Sequence, residues 1–569
     1  MKLNSVLSVL LALVLALGSL TVTAIADASV DVSTLYKNKD VDDTWRPDDV
    51  QAIDLNAVQS GVFTVSQKGD YLLSGTLSGQ IVVEVPKEEK VRLILNGVTI
   101  TSPRGPAIYE TQSDKLIITL AEGTVNTLTD GTVITDDDDT IGAALYAEDD
   151  LSINGAGSLI ANGTQKHGIQ SKADLVIANG NITVTAVTDG IRGRNSVLLL
   201  DGEVNVTAGG DGITTTRTDT EGKGWIVLAG GSVNVKTGSG AGTVRASANS
   251  RGGFGGRGRR DDWGNGWGAA PAAEESGTSQ KAVKAAADLT VLGGTYVFDC
   301  ADDGLHGVNV TVNGGTFSIR SGDDAMHADK EITVNGGNID ITQCYEGLEG
   351  KNVTVNGGDI RIVSSDDGIN ASGSSDGPGF GGRSRGGYTA SADSGMLTIA
   401  GGTIAVTAGG DGLDSNGSIA VTGGVTGVWT AASGMEGPID FNGSGTITGG
   451  TLILATAGIS GGGRGRGGGA GLSGLKTLTY SASGEAGETI TLTDANGRII
   501  GTFTPENAFR ALTIASSAQA DGSSFTVLVG SRKIESGAAA DSVNSATPGV
   551  PGRDPQVNNE GRGHGRRGR

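Results

Sequence analysis

The chain has 569 residues, a formal charge of −21, 97 glycines and only 4% aromatic residues. Such an acidic body excludes duplex nucleic acid and an anionic membrane as main partners and favours cations. Glycine far above its usual share of about 7%, with few aromatics, points to dense turns and tight stacking rather than a bulky aromatic core.

Residues 1–26 hold Lys2, an apolar run from Val6 to Leu17, and Ala24 and Ala26 before Asp27. This is the pattern of a cleaved secretory signal, too short for a span, so a secreted, extracellular protein is expected, without membrane insertion after cleavage. Residues 27–59 read as an acidic leader containing Trp45 and Pro47. Residues 60–142 carry longer strands with no regular beat and read as an N-terminal β cap with the first irregular repeats.

From 143 to 459 a unit of 21 or 22 residues recurs. Its clearest copies run Val-Asn-Gly-Gly, a short alternating stretch, then Asp-Asp-Gly, as in TVNGGTFSIRSGDDAMHADKEI from Thr311. The closing glycine falls at Gly168, Gly190, Gly212, Gly304, Gly347, Gly368, Gly412 and Gly434, with Ala325 once in its place. An aliphatic residue follows every time: Ile169, Ile191, Ile213, Leu305, Met326, Leu348, Ile369, Leu413 and Met435.

Alternation on both sides of the glycine pairs predicts short strands, three per unit. No single unit buries its inner face, whereas stacked units create one continuous aliphatic core. The fold class read from this is all-β, a right-handed three-sheet parallel β-helix with N- and C-terminal β caps. A β-sandwich shares the turns and alternation but has no reason to keep one 22-residue register.

Stacking turns a repeated residue type into a ladder with steps of about 4.8 Å. One ladder is acidic: Asp189, Asp211, Asp303, Asp324, Glu346, Asp367 and Asp411, with second acids at Asp302, Asp323 and Asp366. Two readings stand. Adjacent carboxylates repel and call for a cation, and Ca²⁺ with six to eight oxygen ligands suits them, above all between 302 and 367. Alternatively each Asp-Gly is a turn, its glycine supplying positive φ.

Two places after the glycine stand Gln170, Arg192, Thr214, His306, His327, Glu349, Asn370, Asp414 and Glu436, all polar, with Lys172, Arg194, Lys330 and Lys351 near the next corner. This strip has the form of a groove for an extended polysaccharide, and equally of a solvated sheet face. Asn313, Asn335 and Asn356 form a further, structural, amide ladder. Cys300 and Cys344, two units apart, are too distant for a disulfide and read as buried thiols.

Gly/Arg-rich insertions are expected at 238–287 and 372–395, with a third such loop at 460–474; Trp263 and Trp267 in the first offer stacking faces for a sugar. Residues 475–535 read as a C-terminal β cap and 536–569 as a disordered tail.

The run from Gly69 to Gly131, then LSINGAGSLI, HGIQSKADLVIANGNITVTAVTDGI and the Val-Asn-Gly-Gly units, resembles the secreted clostridial-type carbohydrate-binding β-helix proteins, pectate-lyase-like in fold. The resemblance implies a calcium-bearing β-helix that binds polygalacturonate-like or cellulosic polysaccharide, with no catalytic residue carried over, and a monomer is expected. The lipid-attachment cysteine of some relatives is missing. A calcium-dependent polysaccharide lyase using Lys330 as base, and a non-catalytic surface scaffold, are the alternatives.

Overall fold

The structure, a computed structural model, describes residues 30–136, 139–242, 279–372, 395–431, 437–458, 472–475, 477–519, 525–534 and 539–540. The signal pattern, Trp263 and Trp267, Gly434, Met435 and Glu436 lie outside the described residues, as do most of the Gly/Arg-rich loops and the tail. The chain divides into two units, Met1–Lys37 and Asn38–Arg569. The first has one 3-10 turn, Val32–Thr34, capped by Asp31, whose Oδ1 accepts from the Ser33 backbone N–H at 3.1 Å.

The second unit is almost entirely β, with most strands in one large sheet and the dominant pairing parallel. Pairing skips two strands: His167–Ser171 pairs with Ile191–Gly193, Asp174–Ile177 with Ser196–Leu199, and Asn181–Ala186 with Glu203–Ala208. Three interleaved series result, and register advances by one repeat at each step.

Alternation explains what faces inward. The column Ile169, Ile191, Ile213, Leu305, Met326, Leu348, Ile369 and Leu413 is fully buried at every position. Each such side chain contributes roughly 1.5–3 kcal/mol against exposure. Tyr296 and Phe317, in register on neighbouring strands, stack inside with ring centroids 4.8 Å apart. Cys300 and Cys344 are buried free thiols in the same interior.

The expected boundaries shift in three places. Gln51–Asp54, inside the stretch read as leader, is already a strand paired with the chain from Tyr71 to Ser74. Before it, Asp40 is buried and accepts from Lys115 Nζ and Ser152 Oγ, both at 2.6 Å, which fixes residues 38–42 on the sheet. Val283–Lys284, inside the stretch read as insertion 238–287, is a strand paired with Ile213–Thr214 on one side and Leu305–His306 on the other. At the other end Ala539–Ala540, inside the stretch 536–569 read as a disordered tail, is a strand paired antiparallel with Thr477–Leu478, while Thr451–Thr456 pairs antiparallel with Ala511–Ser516, and Ile490–Thr493, Ile499–Phe503, Thr526–Val529 and Arg532–Ile534 form a separate antiparallel sheet. Among the described residues no helix is long and apolar enough to cross a membrane.

Candidate functional site: a charged ladder beside a polar column

The glycine of the Asp-Gly step is required by packing, not by a left-handed turn. A Cβ on Gly190 would stand 2.2 Å from Val206 Cγ1 and 2.7 Å from the Gly212 carbonyl, and φ there is not positive. The positive φ belongs instead to the second glycine of each pair, such as Gly315 and Gly337.

With the chain held that close, backbone bonds place the residue before each such glycine in one column. Gly190 N–H donates to Asp211 O, Gly212 N–H to Lys281 O, Ala282 N–H to Asp303 O, Gly304 N–H to Asp324 O, Ala325 N–H to Glu346 O, and Gly347 N–H to Asp367 O. Lys281 therefore stands in the acidic ladder between Asp211 and Asp303, a member that sequence reading missed. Five of the carboxylates also accept from the next repeat: Asp211 N–H to Asp189 Oδ1 at 3.2 Å, Lys281 N–H to Asp211 Oδ1 at 2.9 Å, Asp324 N–H to Asp303 Oδ1 at 3.2 Å, Glu346 N–H to Asp324 Oδ1 at 3.2 Å, and Asp411 N–H to Asp367 Oδ1 at 2.7 Å. These acids thus stitch successive repeats together through the neighbour's backbone.

Opposite charge is supplied from within. Asp189 Oδ2 lies 3.2 Å from Arg192 Nη1 and 3.3 Å from His167 Nδ1. Asp211 Oδ1 accepts from Ser279 Oγ at 2.7 Å, with Lys284 Nζ 3.8 Å from its other oxygen. Lys281 Nζ reaches Asp303 Oδ2 at 2.7 Å and Asp302 Oδ2 at 3.0 Å. His306 Nδ1 is 2.9 Å from Asp303 Oδ2, and His327 Nδ1 is 3.1 Å from both Asp324 Oδ2 and Glu349 Oε2.

These contacts set the electrostatics. Burial alone would raise the Asp303 pKa, but Lys281 and then the histidines hold it well below the carboxylate range. Burial likewise works against the Lys281 charge, and Asp303 and Asp302 outweigh it, raising its pKa. His327, also penalised by burial, is pushed up to about 11 by its bonds to Asp324 and Glu349. Burial and neighbouring negative charge raise Asp324 and Glu346 well above normal, Asp324 despite its bond from His327. Burial would also raise Glu349, yet the His327 bond brings it below its usual value.

Alongside runs the polar column. Register pairs Gln170 with Arg192, Arg192 with Thr214, Thr214 with Lys284, Lys284 with His306, His306 with His327, His327 with Glu349, Glu349 with Asn370, and Asn370 with Asp414. Lys284 was the missing member. The column spans eight steps, or roughly 38 Å. It is half-buried rather than fully outward, with Gln170, Thr214 and Asn370 buried. The imidazoles of His306 and His327 stack with centroids 4.9 Å apart and planes 11° from parallel. The basic residues at the next corner do not form a continuous line: Arg194 and Lys330 are exposed, and Val308 stands opposite the bulge that holds Asp329 and Lys330. Asn335 Nδ2 donates to Asn313 Oδ1 and Asn356 Nδ2 to Asn335 Oδ1, both at 2.7 Å, an amide ladder that ties turns together.

Residues 59–325 and 308–379 match the family described as carbohydrate-binding domain-containing protein, together more than half of the chain and all of the ladder from Asp189 to Asp367. The chain belongs to this carbohydrate-binding family. A member from Acetivibrio thermocellus is 32% identical over 173 residues, which cover 30% of this chain and 58% of that relative. The match therefore spans less than two thirds of the relative's length. A solved structure described as a polysaccharide lyase-like protein from C. thermocellum, in a gadolinium derivative, aligns with a TM-score of 0.35 at 25% identity, over 47% of this chain and 93% of that one.

Proposed function

We propose that this chain is a secreted, monomeric polysaccharide-binding protein built as a right-handed three-sheet parallel β-helix. The in-register pairing of every third strand supports that architecture. The observation that carries the function is the polar column from Gln170 to Asp414, most of which lies within the family-matched repeats. Steps of about 4.8 Å space the half-buried members of the column along an extended glycan. Arg192, Lys284, His306, His327 and Glu349 are the side chains we assign to glycan contact, with Arg194, Lys330 and Lys351 at the rim.

Acidic, polygalacturonate-like glycan and neutral, cellulosic glycan place different demands on an acidic protein. Uronate carboxylates need a positive charge beside the ladder. Calcium does not suit Asp189, Asp211, Asp302 or Asp303, whose oxygens already face Arg192, His167, Lys284 and Lys281. It suits the oxygen-only end. There Asn370 is buried, donates through Nδ2 to Glu346 Oε2 at 2.9 Å, and leaves Oδ1 with no partner among the described residues. Glu346 and Asn370 would contribute oxygens to a calcium ion there, which would supply positive charge for uronate carboxylates.

Retention of the purified chain on polygalacturonate gel and on cellulose, with and without chelator, tests this, while absorbance for unsaturated product is followed in parallel. Retention on polygalacturonate that chelator releases, without product, is the expected result. Absence of retention on both glycans would overturn the reading, and product formation would replace it with a lyase.

A further inference from the structure

The middle of the ladder carries a donor set of a different kind. Asp324 and His327 lie three residues apart across a corner, and Glu349 is the register partner of His327 on the next strand. His327 Nδ1 is 3.1 Å from Asp324 Oδ2 and 3.1 Å from Glu349 Oε2, and all three donor atoms lie within 4.8 Å of one another. Donors bound to zinc at about 2.0–2.2 Å sit about 3.3 Å apart along a tetrahedral edge. The His327 pairs are thus within a few tenths of an ångström of that spacing.

The chemistry of the set selects the ion. One imidazole nitrogen and two carboxylate oxygens suit borderline first-row divalent ions, whereas calcium takes oxygen alone. The scaffold is fixed at each point. Asp324 is held by the Glu346 N–H on its Oδ1, which leaves Oδ2 toward His327, and the His327 ring stacks on His306. Glu349 Oε1 accepts from Ser372 Oγ at 3.1 Å, so its other oxygen is the one turned toward His327. Asp303 and His306, also within 4.8 Å of the His327 donor, form a second carboxylate–imidazole pair alongside. Access comes from the Glu349 side, whose side chain is 24% exposed against 7% for Asp324.

We infer that Asp324, His327 and Glu349 form a binding site for a zinc-class divalent transition ion, with solvent at the remaining position. The site shares His327 and Glu349 with the proposed glycan column but differs from the calcium assignment in ion and residues, and Co²⁺ titration without glycan reads it independently of glycan retention.

Chelator-treated full-length protein titrated with Co²⁺ gives the test, through visible ligand-field absorption and calorimetry, with Zn²⁺ as competitor. One equivalent should bind, Zn²⁺ should displace it, and equimolar Ca²⁺ should leave the spectrum unchanged. His327→Gln and Glu349→Gln should each weaken binding by at least about 100-fold, the upper end of what loss of an outer-shell partner costs. Glu349→Gln, at the more exposed position, serves if circular dichroism shows that His327→Gln is misfolded. The inference fails if the wild-type chain shows no saturable Co²⁺ binding, if a folded variant binds as wild type, or if equimolar Ca²⁺ abolishes the bands.

Discussion

Lys281 neutralises the ladder at its most crowded point, and replacing it with methionine exposes that role. The side chain is only 13% exposed and its ammonium lies 2.7 Å from Asp303 Oδ2, where Asp303 itself is 4% exposed. Removing one member of a buried pair costs about 3–5 kcal/mol, because the other charge is left without compensation. His306, 2.9 Å from the same oxygen, offsets part of this, so about 3 kcal/mol is the expected loss. In a long repeat array unfolding need not be all-or-none, so the assay should be local. Native-state hydrogen exchange of peptides spanning 279–306 reads the opening of these repeats, and 3 kcal/mol corresponds to about 150-fold faster exchange. Lys281→Met/Asp303→Asn should recover much of the protection, since the uncompensated charge has gone. Millimolar Ca²⁺ should slow exchange of these peptides in Lys281→Met but not in the wild-type chain. Exchange within threefold of wild type, or a double variant no better than the sum of the singles, would refute the argument.

Two further outcomes follow from other parts of the fold. Burial pushes the Glu110 pKa up to about 7, and its Oε2 accepts from the Glu148 and Asp149 N–H groups. A carboxyl raised in the folded state contributes stability that is complete below its unfolded pKa of about 4.3 and is lost as pH rises through 7, up to about 3 kcal/mol. Glu110→Gln should therefore flatten urea midpoints measured between pH 5 and 8 and raise them at the alkaline end; an unchanged pH profile would exclude Glu110 as the cause. Gly190→Ala drives a Cβ to 2.2 Å from Val206 Cγ1, so about 1–3 kcal/mol is lost to overpacking. Its cost should shrink in a Val206→Ala background, and equal costs in both backgrounds would place the clash elsewhere.

The repeat was legible because a period of 22 in the chain becomes a register in space, and the column from Ile169 to Leu413 is buried at each described position. Val283 shows where that reading stopped. Its repeat follows the Gly/Arg-rich stretch and reads Lys-Ala-Val in place of Asp-Gly-aliphatic, yet stepping back 22 from Gly304 lands on Ala282. Spacing alone held the signal that residue type concealed. The partners of the acids were less accessible. A bond from the next repeat's N–H to Asp303 Oδ1 depends on side-chain rotamer, and no spacing rule encodes it. Likewise the Asp-Gly glycine suggested a positive φ, whereas the requirement is room for Val206.

Carboxylates at steps of about 4.8 Å repel by roughly 3–4 kcal/mol per neighbour at the dielectric of a protein surface, so each step of the ladder needs an answer. The answers change along the chain. Asp189 meets Arg192 and His167, Asp211 meets Lys284, Asp303 meets Lys281 and His306, and Asp324 meets His327. Glu346 meets a neutral amide, Asn370, and its pKa rises well above normal through burial and the charges of Asp324, Glu349 and Asp367. Compensation thus passes from lysine and arginine, through histidine, to an amide that brings no charge. A histidine proton can be exchanged for a metal ion, and an amide oxygen can join one, whereas an ammonium at 2.7 Å excludes it. The same acidic column thus meets an ammonium at Asp303, an imidazole at Asp324 and a neutral amide at Glu346, and the order of those chemistries is written in which partner each repeat carries.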